Sequence, residues 1–232
     1  MNQPENIAHN PADPGNQSLP HHRQVRVWDL PTRIFHWGMV ILVAVAWISS
    51  EAEGSVLYIH IYSGTILLGF VVFRLIWGII GSRHALFTDF VFSWSSVKDY
   101  SIRLLSFRPP YSVGHNPLGG WMVVALLVFL LLSVLTGMMT SEDGYRGPLS
   151  HIGIGGDIHE GMANLLGFLI FVHIGGVVAH GVISRENLPR AMITGIKNIP
   201  ARIGASDIKN VGIIRPAIAV AMAIAAIWLF WS

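Results

Sequence analysis

The chain has 232 residues, 52% hydrophobic and only 12% charged, with a mean hydropathy of +0.54 and an isoelectric point near 9.2. Soluble domains carry about 25% charged residues, so these side chains cannot cover a globular surface, and the composition is that of a polytopic membrane protein. The absence of cysteine excludes disulfide frameworks, iron–sulfur clusters, thiolate zinc sites and thioether-linked cofactors, which leaves eleven histidines as the richest source of metal ligands.

Residues 1–27 are rich in Pro, Asn and Gln and lack an apolar period, which predicts a mobile tail. Crossing about 30 Å of hydrocarbon takes about 20 residues. Four runs meet or approach that length: Ile34–Ser50, Val56–Ile80, Leu118–Thr140 and His159–Ile183. The first is short unless its helix begins near Trp28. It also begins late for a signal peptide, so an uncleaved helix is expected although Ala46–Ser55 faintly resembles a cleavage region. In the long loop Ser82–Pro117, the stretch Ser95-Ser96-Val97-Lys98-Asp99-Tyr100 opens a short amphipathic helix that must end before Pro109-Pro110. Residues 201–232 read as a linker and an Ala-rich run, Ala217–Trp231, that follows Pro216, a good first-turn residue. That run is expected to form a fifth span; a helix lying at the interface is the alternative. The expected fold is an all-α integral membrane protein: a four-helix transmembrane bundle over residues 28–200, plus this C-terminal helix.

Lysines and arginines sort by loop. Arg23, Arg26 and Arg33 precede the first run; Arg83, Lys98, Arg103 and Arg108 lie between the second and third. Arg185, Arg190, Lys197, Arg202, Lys209 and Arg215 follow the fourth. All but two of the fifteen basic residues therefore fall on one side, whereas Arg146 shares the other with Glu51, Glu53, Glu142, Asp143 and Asp157. This asymmetry predicts a cytoplasmic N-terminus and argues against a nucleic-acid partner.

Ionisable residues inside spans are expensive and point to function. His36 lies in the first run, His60 and Arg74 in the second, His159 and His173 in the fourth. His159 and His173 are fourteen residues apart, as are His60 and Arg74. Fourteen residues of α-helix rise about 21 Å and return to within about 40° of the same face. The fourth helix thus presents two imidazoles at two depths. His60 and His159 both begin their helices on the outer side and can face one another, leaving His36 for the inner level. One buried histidine serves as readily as an interhelical hydrogen-bonder. Four matched in depth suggest two irons, each held by two imidazoles in a bundle core, which leaves no position for oxygen and favours electron transfer. By depth alone the partner of His36 is either His173 or His180. Arg74 falls near the inner level, where a haem propionate, a quinone pocket or snorkelling to the interface would satisfy it. Gly64, Gly161, Gly167, Gly175 and Gly176 suit either a flat macrocycle or close helix packing. His84, His115 and His151, with His9, His21 and His22, read as interfacial or solvated, although His115 in Gly114-His115-Asn116-Pro117 can touch a partner or quinone.

The segment Trp28-Asp29-Leu30-Pro31-Thr32-Arg33-Ile34-Phe35-His36-Trp37 resembles the opening signature of the bacterial cytochrome b561 family, which includes hydrogenase-type cytochrome b subunits. His159-Glu160-Gly161-Met162-Ala163-Asn164-Leu165, with His173 and His180, looks like its fourth helix, and His60 with Arg74 like its second. The resemblance covers about residues 25–200. It implies two b-type haems, ligated by His60 with His159 and by His36 with His173, the latter pairing preferred over His180. It further implies electron exchange between a quinone pool and a redox partner such as a hydrogenase, another dehydrogenase or a c-type cytochrome. The short loop after the first run and the late C-terminal run depart from the minimal family pattern.

The expected function is therefore a quinone-linked di-haem electron-transfer subunit embedded in membrane lipid, with Arg74 near the inner haem. Two alternatives compete: a histidine-based proton or metal-ion transporter, poorly supplied with intramembrane carboxylates, and a membrane anchor with structural haems. Small residues on several faces would permit a homo-oligomer.

Overall fold

The computed structural model describes residues 22–51, 53–142, 145–153 and 155–231. The expected tail up to residue 21, with His9 and His21, lies outside the described residues. In chain order the elements are β1 (His22–Arg26), α1 (Leu30–Ile48), α2 (Leu57–Ile80), α3 (Phe87–Phe90), α4 (Trp94–Leu105) and α5 (Pro117–Met138). They continue with β2 (Ser141–Glu142), β3 (Tyr145–Arg146), α6 (Gly156–Ser184), α7 (Leu188–Thr194), β4 (Ile196–Pro200) and α8 (Ile214–Trp231).

Four helices, α1, α2 with the turn before it, α5 and α6, are long and apolar enough to cross a membrane. The first starts four residues before its apolar run because Asp29 caps it, accepting from the Thr32 amide at 2.6 Å, with Pro31 in the first turn. Asn116 and Pro117 open α5 in the same way, the Asn116 side chain accepting from the Gly119 amide at 2.7 Å. The amphipathic helix expected near Ser95 is α4, capped by Ser93.

Helix α2 is the hub. In its span 44% of residues are buried within the protein, against 11% in α1 and in α6, which therefore turn most of their surface outward. Its Leu67, Leu68 and Val71 pack with Leu130, Val134 and Met138 of α5 and Leu166 of α6. In lipid there is no hydrophobic gain between helices, so small residues that allow close approach carry much of the packing. A Cβ at Gly69 would stand 2.6 Å from Ile227 of α8, and one at Gly167 would stand 2.5 Å from Trp47 of α1. The C-terminal run is thus a helix seated on α2 through Ala219 and Ala223, both buried.

The basic end carries a small cap. The expectation of a mobile tail through residue 27 fails for residues 22–27: β1 pairs antiparallel with β4, His22 opposite Pro200 and Arg26 opposite Ile196. The cause is a brief alternation hidden among polar residues, which sends Val25 and Val27 inward against Trp28, Ala191 and Ile199. The segment before α8 is tied here too, for the Arg26 amide donates to Asp207 at 2.7 Å and the Ile208 amide to the Arg26 carbonyl at 3.1 Å. At the opposite end β2 and β3 form a tight hairpin.

Candidate functional site

The opening signature organises the basic end. One oxygen of Asp29 caps α1; the other accepts from Trp77 Nε1 of α2 at 3.1 Å, and the same indole also donates to Thr32 Oγ1 at 3.2 Å. Arg33 donates to the Thr194 carbonyl at 3.1 Å. These bonds fix α1 against α2 and the cap, and so set the depth of His36 one to two turns further along.

At the opposite end, the structure brings His60 and His159 together with ring centroids 5.9 Å apart and planes at 80°. His60 Nδ1 lies 2.8 Å from the Ala46 carbonyl, and His159 Nδ1 lies 2.8 Å from the Ser133 carbonyl, with Thr136 Oγ1 at 3.4 Å. A carbonyl can only accept, so each Nδ1 carries the proton and each Nε2 keeps its lone pair. That is the arrangement in which a second shell orients metal-ligating imidazoles. Two imidazoles holding one metal, each at about 2 Å, place their centroids about 6 Å apart. The pair fits an iron between them.

At the basic end, His36 of α1 lies within electrostatic range of His173 of α6. His36 Nδ1 is buried without a hydrogen-bond partner. His180, the rival ligand, is buried and engaged elsewhere: its Nδ1 lies 2.9 Å from the Tyr100 hydroxyl of α4. Arg74 is 3% exposed, its guanidinium over the rings of Phe87 and Phe90 at 5.0 and 5.3 Å, and its Nη1 has no partner. Among the described residues, no three His, Asp or Glu side chains converge as a metal-binding group; the histidines come in pairs.

The glycines separate into two kinds. Gly69 and Gly167 serve helix packing, whereas a Cβ at Gly64 or Gly176 would meet nothing within 4 Å. Gly64 is four residues after His60 and Gly176 three after His173, each on its histidine's face. A flat face beside a histidine is what a macrocycle requires, so the residues fit haem by donor set and surface at both levels, and by tautomer at the outer one.

For His84 and His115, expected as interfacial or solvated, the solvated alternative is corrected. His84 is 6% exposed, with Nδ1 2.8 Å from Asp89. His115 is half-buried, its ring 4.8 Å from Trp28 and 4.6 Å from Phe90, with Nδ1 buried and unpartnered. Burial, and then Arg74, His84, Lys197 and His173 around it, push its pKa down to about 3, so the ring is neutral. The Asn116 cap and Pro117 could have flagged the fixed position of His115. A second buried polar group, Lys197 with Glu186 at 2.8 Å, left no signal, since its two residues meet only through the cap. His22 and His151 are exposed as expected.

Bundled apolar helices that bring half-buried imidazoles together are the architecture of a membrane-embedded b-type cytochrome. Residues 27–195 match the family described as prokaryotic cytochrome b561, and the chain belongs to that family; it is a haem b protein of electron transport. It is 26% identical over 225 residues to a protein of Rhizobium leguminosarum bv. viciae named "Probable Ni/Fe-hydrogenase B-type cytochrome subunit", covering 79% of this chain and 93% of that one. A similarly named hydrogenase 1 subunit of Escherichia coli strain K12 is 24% identical over 212 residues, covering 74% and 90% respectively. One from Rhodobacter capsulatus is 23% identical over 222 residues, covering 77% and 83%. No solved structure matches the chain significantly.

Proposed function

We propose that this protein is a di-haem electron carrier that links a quinone pool to a redox partner across a bacterial inner membrane, with its basic end in the cytoplasm. The single observation that carries the reading is the His60–His159 pair: two imidazoles at 5.9 Å, each with Nδ1 at 2.8 Å from a backbone carbonyl. His36 and His173 hold the second haem, and the bond from His180 to Tyr100 favours His173 over His180. Arg74 belongs to that inner site. Haem b, when bound, would supply a one-electron couple. The protein holds the imidazoles in one tautomer, excludes water with apolar helices and sets the depth of each pair. The relatives' names favour a hydrogenase as partner, and the positive-inside rule favours the orientation. A quinone is the membrane-soluble carrier suited to the other end of the chain.

The test is a set of ligand substitutions read by optical and electron paramagnetic resonance spectra. His60→Ala and His159→Ala should each abolish the same low-spin signal, and His36→Ala and His173→Ala the other. If His180→Ala, and not His173→Ala, removed the second haem, the inner assignment would be wrong.

A further inference from the structure

Four buried nitrogens at the basic end lack partners: Arg33 Nε, His36 Nδ1, Arg74 Nη1 and His115 Nδ1. An orphaned buried donor is costly, more so when charged, so two on neighbouring side chains call for a shared acceptor. Arg74 and His115 are such neighbours. Both lie against the ring of Phe90, and the Arg74 charge acts on the His115 ring.

The fold invests in this arrangement. The turn Phe87–Phe90 can lie on α2 and α5 only because two helical glycines leave room. A Cβ at Gly78 would stand 2.0 Å from the Phe87 ring, and one at Gly120 would stand 2.0 Å from the Phe90 carbonyl. His115 is held in turn by the α5 cap at Asn116 and by Trp28.

The acceptor is not supplied by the described carboxylates nearby. Asp29 is spent on the Thr32 amide and Trp77. Asp89 receives His84 at 2.8 Å and Arg83 at 3.6 Å. Glu186 pairs with Lys197 at 2.8 Å, and its oxygens accept no hydrogen bond from Arg74 or His115. The groups that face His115 electrostatically, Arg74, His84, Lys197 and His173, are all bases. Asp29 faces Arg74 but is already engaged; a neutral imidazole N–H beside an arginine, with three further bases acting on it, has the chemistry of a carboxylate receptor.

We propose that Arg74 and His115 together bind a carboxylate, the propionate of the haem held by His36 and His173, and so orient that haem with its acid edge toward the basic end. This inference rests on the two-haem reading. It assigns to His115 a role as a binding residue beside Arg74, and to His84, tied to Asp89, the part of a wall behind it that Gly114 touches closely, a Cβ there standing 2.9 Å from His84 Nδ1.

The same chemistry could be met by a free anion, and labelling separates the two sources. Full-length protein is produced in cells fed aminolaevulinate carrying carbon-13 at the carboxyl carbon, which places the label in the haem propionates. Redox-difference infrared spectra are recorded for the wild type, His115→Phe, His115→Asn and Arg74→Gln, in buffers with and without inorganic phosphate. The expected result is a label-sensitive carboxylate band that shifts in His115→Phe and in Arg74→Gln. It should stay in place in His115→Asn, whose amide nitrogen can stand where Nδ1 stands, and should not respond to phosphate. Label-sensitive bands unchanged in both His115→Phe and Arg74→Gln would overturn the proposal. Bands at this site that respond to phosphate but not to the label would assign a free anion and overturn it too. Should His115→Phe fail to accumulate, Arg74→Gln and His115→Asn carry the comparison. A wild type with only one haem would remove the two-haem reading, and this inference with it, whereas a two-haem wild type with unmoved bands would remove the inference alone.

Discussion

Gly137 of α5 offers the sharpest test of the outer histidine pair. A Cβ there would lie 2.9 Å from His159 Cε1, 3.1 Å from Nδ1 and 3.5 Å from Nε2. Carbon atoms in contact sit at about 3.5–4.0 Å, so Gly137→Ala must push the ring back by about 0.5–1 Å. The ring is anchored by its 2.8 Å contact with the Ser133 carbonyl, and a retreat of that size takes the contact past about 3.2 Å, where such bonds fail. The bond is worth about 1 kcal/mol. It also makes the imidazole a stronger donor to the metal, which favours the oxidised iron. Losing it should raise the outer haem's midpoint by up to about 40 mV, the one-electron equivalent of that energy. Optical redox titration of purified Gly137→Ala, with paramagnetic resonance of the oxidised form, reads both quantities. The expected result is an upward shift and altered low-spin signal for one haem, the one lost in His159→Ala, with the other unchanged. Identical midpoints and signals in the variant and the wild type would refute the reasoning, as would a shift confined to the other haem.

Three further outcomes follow from the packing. Lys197→Met leaves the Glu186 carboxylate, 9% exposed, without its cation, at a cost of about 3–5 kcal/mol; thermal melts should show the loss, and Glu186→Gln added to it should restore most of the stability. Burial, and then Glu186, push the Tyr100 phenol up to about 12. An unfolded phenol ionises near 10, so between about 10 and 12 the folded chain binds more protons and its stability falls as pH rises. Tyr100→Phe should flatten that window in chemical unfolding, and an equally steep decline in the variant would count against the assignment. Gly69→Leu should lift α8 from α2, where the present gap to Ile227 is 2.6 Å even for a Cβ; limited proteolysis between residues 201 and 213 should then quicken, and unchanged cleavage would mean α8 is held elsewhere.

Much of this architecture is legible from single residue types. Apolar length located the four spans, and Asp29-Leu30-Pro31 carries a cap signal that explains why α1 begins before its apolar run. The fourteen-residue interval between His159 and His173 put two imidazoles on one helix face, and the structure brings the outer one to His60. The misses are non-local. His84 and His115 looked solvated because they sit in polar loop sequence, yet the Phe87–Phe90 turn and Trp28 close over them, a matter of packing that no local period encodes. Lys197 and Glu186 lie eleven residues apart with a short helix and a glycine turn between them, and nothing in either neighbourhood announces the ion pair. The strand at residues 22–26 was hidden because only Val25 and Val27 alternate, too short a pattern to rise above the polar residues around it.

Haem content per chain tests the central claim most directly. Protein purified from haem-competent cells and assayed by the pyridine haemochrome should contain two haem b per chain, both low-spin with bis-imidazole signals. One haem per chain, or two of which either lacks a bis-imidazole signal, would contradict the account.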